Sequence, residues 1–234
     1  IQNVIIFGAS GDLGSVITDY LLKKNYNLIL TFNNKNFKNI KKKLLKKKKI
    51  KNVFFQKCNL ENENSIKNVI KFSKKKIGAP DLIINTCGLF QYDVLENFNY
   101  KDATKMFKVN ALSTLAINKE IYKLKLKKLI KVITIGSSSA LNGFKDTYSY
   151  CGSKHALLGI IKSLNQSLHN KKILNFCINV GSLKNTMGKK IRSKDYENFI
   201  DQEEIIKAIN YLIDVKLPGI AEEIYIKRFF HEKN

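Results

Sequence analysis

The sequence predicts an α/β fold, with a parallel sheet between helices packed on both faces, and three observations carry that prediction. Apolar β-rich runs alternate with helical patterns from one end of the chain to the other. Several of those runs are continuously hydrophobic, as strands buried on both faces must be. At 234 residues the chain is long enough for one sizeable core, so one domain over 1–234 is expected.

The elements follow in order. Strands are expected at 3–7, 28–32, 53–57, 81–85, 131–135, 174–179 and 223–227. Helical periodicity fills the intervals at 13–24, 65–75, 100–124, 150–169 and 203–215. Such alternation implies right-handed crossovers between parallel strands. The lysine run at 41–51 carries Leu44, Leu45 and Ile50, as an amphipathic helix and its exit would. The two prolines, Pro80 and Pro218, stand just before an expected strand or turn, and no linker or repeat is visible.

Composition excludes several function classes. Lys+Arg outnumber Asp+Glu by 42 to 19, giving +23, a field that would attract nucleic acid or phosphorylated ligands. The excess is nearly all lysine, accompanied by abundant Asn and Ile, and is spread over the chain as AT-rich coding would spread it. Charge without a reading motif does not make a nucleic-acid protein, so no nucleic-acid partner is expected. Cys58, Cys87, Cys151 and Cys177 lack metal-ligand spacing. No metal is expected, and free thiols fit a reducing, cytoplasmic setting. No apolar run approaches the roughly 20 residues of a membrane span, and no signal-peptide pattern opens the chain.

The chemistry begins with Gly8-Ala9-Ser10-Gly11-Asp12-Leu13-Gly14, directly after the first strand and opening the first helix. In that context Gly8 allows the tight turn, Gly11 lets a pyrophosphate approach the backbone, and Gly14 permits close helix–sheet packing. The helix N-terminus then offers unpaired N–H groups to the anion. Asp12 is awkward beside a phosphate and is expected to cap or to face away. The second strand ends in Thr31-Phe32-Asn33-Asn34-Lys35, with no carboxylate to bind a ribose 2′-hydroxyl. Asn33, Lys35 and Ser10 can instead accommodate a 2′-phosphate, which favours NADP over NAD.

Further along, Asn85-Thr86-Cys87-Gly88 ends the fourth strand, and Gly136-Ser137-Ser138-Ser139 ends the fifth. Ligands of open α/β sheets bind beyond the carboxyl ends of the strands, where these groups would emerge. Asn110 is a polar residue in an otherwise apolar helical stretch. Tyr150-Cys151-Gly152-Ser153-Lys154 sets a phenol and an ammonium one helical turn apart, on one helix face. A nearby cation favours the phenolate, moving the tyrosine from about 10 towards the working range of an acid/base catalyst.

These residues, in this order and at these spacings, resemble the short-chain dehydrogenase/reductase family over almost the whole chain. The resemblance implies a doubly wound Rossmann fold with seven parallel strands in the order 3-2-1-4-5-6-7. It implies NADP- or NAD-dependent hydride transfer between the cofactor and a carbonyl or alcohol substrate. Tyr150 would be the acid/base, Ser137 would orient the substrate oxygen, Lys154 would tune Tyr150 and hold the nicotinamide ribose, and Asn110 would hold a relay water. Cofactor contacts would come from Gly8, Ser10, Gly11, Asp12, Leu13, Gly14, Asn33, Lys35, Asn59, Leu60, Asn85, Cys87, Gly88, Tyr150, Lys154, Gly181 and Thr186.

Four positions depart from the family pattern. The glycine loop is spaced Gly-x-x-Gly-x-x-Gly, as in the branch that modifies nucleotide sugars. The usual Asn-Asn-Ala-Gly reads Asn85-Thr86-Cys87-Gly88, an adenine-contacting Asp is Asn59, and the usual Pro-Gly is Gly181-Ser182. A short substrate loop is expected at about 186–202, made cationic by Lys189, Lys190, Arg192 and Lys194. A homodimer or homotetramer would form through the helices that carry Asn110 and Tyr150. The alternatives are a nucleotide-sugar epimerase or dehydratase, and a non-catalytic dinucleotide- or nucleic-acid-binding protein on the same scaffold.

Overall fold

Seven short apolar strands lie side by side in the order β3-β2-β1-β4-β5-β6-β7, all parallel. The structure is a computed structural model that describes residues 2–33, 52–191, 194–216, 219 and 221–228. The expected Lys35, the lysine run at 41–51, Arg192 and Pro218 lie outside the described residues. The strands are β1 (Asn3–Phe7), β2 (Asn27–Phe32), β3 (Val53–Lys57), β4 (Leu82–Asn85), β5 (Ile130–Ile135), β6 (Ile173–Val180) and β7 (Glu223–Ile226). All seven fall where the apolar runs predict them, with ends shifted by a residue or so.

The described helices are α1 (Asp12–Leu22), α2 (Glu63–Lys76), α3 (Tyr100–Phe107), α4 (Ser113–Tyr122), α5 (Tyr148–Leu168), α6 (Thr186–Ile191) and α7 (Gln202–Asp214). The sheet is buried on both faces because successive strand residues point to opposite sides. Val4 and Ile6 of β1 pack with Ile17 and Leu21 of α1 and Ile205 and Ile209 of α7. Ile5 and Phe7 pack with Ile66 and Val69 of α2 and Ile117 and Ile121 of α4 on the other face. The strand interiors are mostly apolar, with Lys131, Thr134 and Asn175 among the buried polar exceptions, and the candidate functional groups sit beyond the strand ends.

Two elements differ from the sequence expectation. The helix expected over 100–124 is interrupted by a π-helical turn, Lys108–Leu112, centred on Asn110. Such turns insert one residue into the ladder and re-aim a side chain. The substrate loop holds a short helix, α6, capped by Asn185, whose Oδ1 accepts the Gly188 N–H at 2.7 Å. Among the described residues no helix is long and apolar enough to cross a membrane.

Candidate active site

The carboxyl ends of β1 to β6 open into one cavity of about 830 Å³, and its wall is built from the turns that follow the strands. At the first turn Gly8 has φ +82°, the left-handed region that a side chain resists. Its N–H donates to Thr31 Oγ1 at 3.2 Å, and its carbonyl accepts the Gly11 N–H at 3.0 Å. A Cβ on Gly14 would lie 2.1 Å from the Gly8 carbonyl oxygen, so only glycine lets α1 seat this closely on the turn. Gly11 begins α1 without a side-chain cap, leaving first-turn N–H groups directed at the cavity. From the β4 side Thr86 Oγ1 donates to the carbonyls of Phe7 and Gly8 at 2.9 and 3.2 Å, pinning the turn in place. Asp12 lines the cavity at the start of α1, and its Oδ2 accepts the Thr186 N–H at 2.6 Å.

One arm of the cavity runs from this turn past Thr31, Phe32 and Asn33 to Cys58, Asn59, Leu60 and Glu61. β2 ends without a carboxylate, as the sequence shows. Asn59 Oδ1 accepts the Glu61 N–H at 3.0 Å, holding a tight turn after β3. The glycine cradle, the uncapped helix end and the length of this groove fit a dinucleotide.

The opposite arm holds Ser137, Tyr150 and Lys154. Ser137, two residues beyond β5, is extended and caps a 3-10 turn, Oγ accepting the Ser139 N–H at 3.1 Å. Tyr150, in the first turn of α5, lines the cavity together with Ser137. Burial raises the Tyr150 phenol above its ordinary value, and the nearby Ser137 side chain offsets part of that. Phe90 packs edge-on against the Tyr150 ring, centroids 4.8 Å apart.

The Lys154 ammonium is 5.9 Å from the Tyr150 ring centroid and donates to the Ile135 carbonyl at 3.2 Å. Burial brings it down to about 8, and the neighbouring thiols Cys177 and Cys87 pull it back up. The sequence expectation that Lys154 lowers the phenol is therefore not what dominates; desolvation of the phenol does. Asn110 stands behind the wall, 2% exposed, with every amide group engaged. Its Oδ1 accepts the Leu89 N–H at 2.7 Å, and Nδ2 donates to the Leu89 carbonyl at 2.9 Å and to Ser153 Oγ at 3.0 Å. Ser153 Oγ in turn donates to the Tyr150 carbonyl at 2.7 Å, so the π turn braces both the β4 loop and the helix that carries the phenol.

Leu89, Phe90, Tyr92, Phe144, Leu183 and Met187 make much of the cavity lining apolar, with Lys145 also in that lining, whereas Lys105 lies 3.8 Å from Glu61 in the other arm. The lid that includes α6 is anchored at its base by the Leu183–Ile200 bridge and by Gln202 Nε2 donating to the Lys184 carbonyl at 2.7 Å.

Of the residues singled out in the sequence, Gly8, Ser10, Gly11, Asp12, Leu13, Gly14, Asn33, Asn59, Leu60, Cys87, Gly88, Ser137, Tyr150, Lys154 and Gly181 all line this cavity. Asn85 is buried behind it, Oδ1 accepting the Cys87 N–H at 3.2 Å, and Thr186 reaches the groove through the backbone contact with Asp12. Thr31, Thr86 and Phe90 were not evident from the sequence. Thr31 and Thr86 ended strands as ordinary β-formers, and nothing local marked Phe90 as the cover of Tyr150.

Fold and site together define a doubly wound α/β protein whose glycine turn fits a dinucleotide, with Ser137, Tyr150 and Lys154 gathered in the same cavity. The sequence matches the family model described as short chain dehydrogenase over residues 2–196. It is 28% identical over 231 residues to the 3-oxoacyl-[acyl-carrier-protein] reductase FabG of Buchnera aphidicola subsp. Acyrthosiphon pisum, covering 94% of this chain and 93% of the relative. It is also 28% identical over 199 residues to FabG of Rickettsia typhi, covering 85% of this chain and 79% of the relative. Among solved structures, ElxO with NADP bound superposes with a TM-score of 0.83 at 21% identity over 97% of both chains. A single-residue variant of actinorhodin polyketide ketoreductase with NADPH superposes with a TM-score of 0.83 at 14% identity, over 97% of this chain and 95% of that one. The chain belongs to the short-chain dehydrogenase/reductase family.

Proposed function

We propose that this protein is an NADP(H)-dependent oxidoreductase that interconverts a carbonyl and an alcohol, with Tyr150 as acid/base. The observation that carries the reading is that Ser137, Tyr150 and Lys154 line the same groove that starts at the glycine turn. The turn at Gly8, Gly11 and Gly14, with Leu13 and the α1 N-terminus, would receive the pyrophosphate. Ser10 and Asn33 would meet a 2′-phosphate, Asn59 and Leu60 would flank the adenine, and Cys87, Gly88, Gly181 and the Thr186 segment would line the nicotinamide end.

When bound, the dinucleotide supplies the hydride from its nicotinamide ring. The protein supplies the proton and the position. In reduction the substrate oxygen sits between the two hydroxyls, where Ser137 donates a hydrogen bond and Tyr150 transfers its proton as negative charge develops. Burial keeps the Tyr150 phenol protonated until then, which suits a proton donor. Lys154, held on the Ile135 carbonyl, supplies the positive field that stabilises the phenolate left behind and a donor for the ribose hydroxyls. Asn110 serves as the brace that keeps Tyr150 and the 85–89 loop in register.

A 3-oxoacyl thioester is the substrate class we favour, on the strength of the FabG relatives. The apolar mouth suits an acyl chain, and Lys145 in the lining suits an anionic carrier. Exposed Leu112 and Leu115 at the π turn and α4 support assembly as a homodimer or homotetramer, and four free cysteines suit the cytoplasm. Fluorescence titration with NADPH and NADH, followed by NADPH consumption with acetoacetyl-coenzyme A, tests the reading. Tighter binding of NADPH and saturable consumption are expected; no binding of either nucleotide would overturn it.

A further inference from the structure

Behind Ser137 lies a buried polar chain with no counterpart in the roles described so far. Asn179, on β6, is fully buried. Its Oδ1 accepts the Ser137 N–H at 3.3 Å and faces the Cys177 thiol at 3.3 Å. Its Nδ2 donates to Glu223 Oε1 at 2.8 Å, across to the edge strand β7. Glu223 Oε2 lies 3.6 Å from the Lys162 ammonium on α5, the helix that carries Tyr150 and Lys154. The chain of contacts therefore runs from the outer face of the catalytic helix, through the edge strand and β6, to the serine turn.

Two features make this a built arrangement. A Cβ on Gly136 would lie 2.1 Å from Asn179 Oδ1, so the glycine before Ser137 is the space that the amide fills. An asparagine amide can also sit either way round, and here the carboxylate decides which way. Oδ1 faces two donors, the Ser137 N–H and the Cys177 S–H, because burial keeps that thiol protonated, pushed up to about 12. Flipped, the amide would face two donors with its own N–H groups and turn its oxygen on the Glu223 carboxylate, leaving buried groups unpaired.

We infer that Asn179 and Glu223 are positioning residues: Glu223 locks the Asn179 amide so that it holds the Ser137 backbone, and with it the Ser137 hydroxyl, against Tyr150. The inference rests on the reading of Ser137 and Tyr150 as the reacting pair. Neither Asn179 nor Glu223 touches substrate in this account.

The test uses the full chain with NADPH and acetoacetyl-coenzyme A. Asn179→Asp sets two carboxylates against each other and should lower kcat about tenfold or more, as small misplacements of reacting groups do. NADPH affinity should stay within about twofold, because the dinucleotide groove is not touched. The double variant Asn179→Asp/Glu223→Gln reverses the donor and acceptor across the pair and should restore most of kcat. Amide hydrogen exchange at Ser137 should be fast in Asn179→Asp and protected again in the double variant. Glu223→Ala, at a partly exposed edge position, gives the same readouts if substitution at the buried site prevents folding. Wild-type kcat with a protected Ser137 amide in Asn179→Asp or Glu223→Ala would overturn the inference. So would a folded double variant that recovers neither readout. Tyr150→Phe is run in parallel: if it turns over normally, the reacting-pair reading has failed, whereas the exchange data still judge the brace.

Discussion

Alanine at Gly14 and alanine at Gly11 should fail in opposite ways, although both remove a glycine from one turn. At Gly14 the new Cβ would stand 2.1 Å from the Gly8 carbonyl oxygen and 2.9 Å from Ala9 Cα, where an ordinary contact begins at 3.4 Å. Backbone must therefore give by about 1.3 Å, the difference between 3.4 and 2.1 Å, and no side chain is available to swing away. Overpacking of this kind costs about 1–3 kcal/mol, which for a chain of this size lowers Tm by about 2–12 °C. At Gly11 the nearest atom to a Cβ is the Gly8 oxygen at 3.5 Å, and the backbone (φ −78°, ψ 167°) is one alanine adopts freely. Gly11→Ala should leave the fold intact or stabilise it by about 0.4–1 kcal/mol through the unfolded chain. It places a methyl group on the cavity wall where the pyrophosphate is proposed to sit, so NADPH affinity should fall about tenfold or more. Thermal denaturation without nucleotide and NADPH fluorescence titration separate the two effects. A neutral Gly14→Ala, or a Gly11→Ala that destabilises the fold while binding NADPH normally, would refute this account of the turn.

Other outcomes are as specific. Lys131→Met removes an ammonium that donates to the carbonyls of Leu212, Ile213 and Val215 at 2.8–2.9 Å, so the end of α7 loses its cap. The cost should be about 2–4 kcal/mol in urea denaturation, with NADPH affinity unchanged. Lys154, brought down to about 8 by burial, loses its proton between pH 7 and 9 rather than near 10.5. A cation proposed to meet the ribose is then lost, and NADPH affinity should fall over that interval. Lys154→Met should bind weakly and flatly across the same range.

Much of the fold was legible because burial on both faces forces strands such as Val4 to Phe7 to be apolar throughout, and their ends carry the chemistry. The glycine turn, Ser137, Tyr150 and Lys154 could be found because each is defined by local spacing. What escaped the sequence depends on distant contacts. The π turn at Asn110 shows only when Leu89, 21 residues away, is seen to occupy both ends of its amide. α6 is too short for periodicity and is held by Asn185 and by Asp12, 174 residues away. Asn179 read as one polar residue in a strand, since its partners Ser137 and Glu223 are 42 and 44 residues removed. The Tyr150–Lys154 spacing correctly placed phenol and ammonium together. It could not show that burial of the phenol, set by Phe90 and the surrounding fold, outweighs the charge.

Tyr150→Phe tests the central claim most directly. The substitution removes one hydroxyl from the Ser137–Tyr150 pair and leaves the ring, its contact with Phe90 and the glycine turn in place. NADPH consumption with acetoacetyl-coenzyme A should fall by about 10²–10⁴ in kcat, the worth of a positioned proton donor, while NADPH affinity stays within about threefold. Turnover within about tenfold of the wild-type rate would contradict the assignment of Tyr150 as the acid/base.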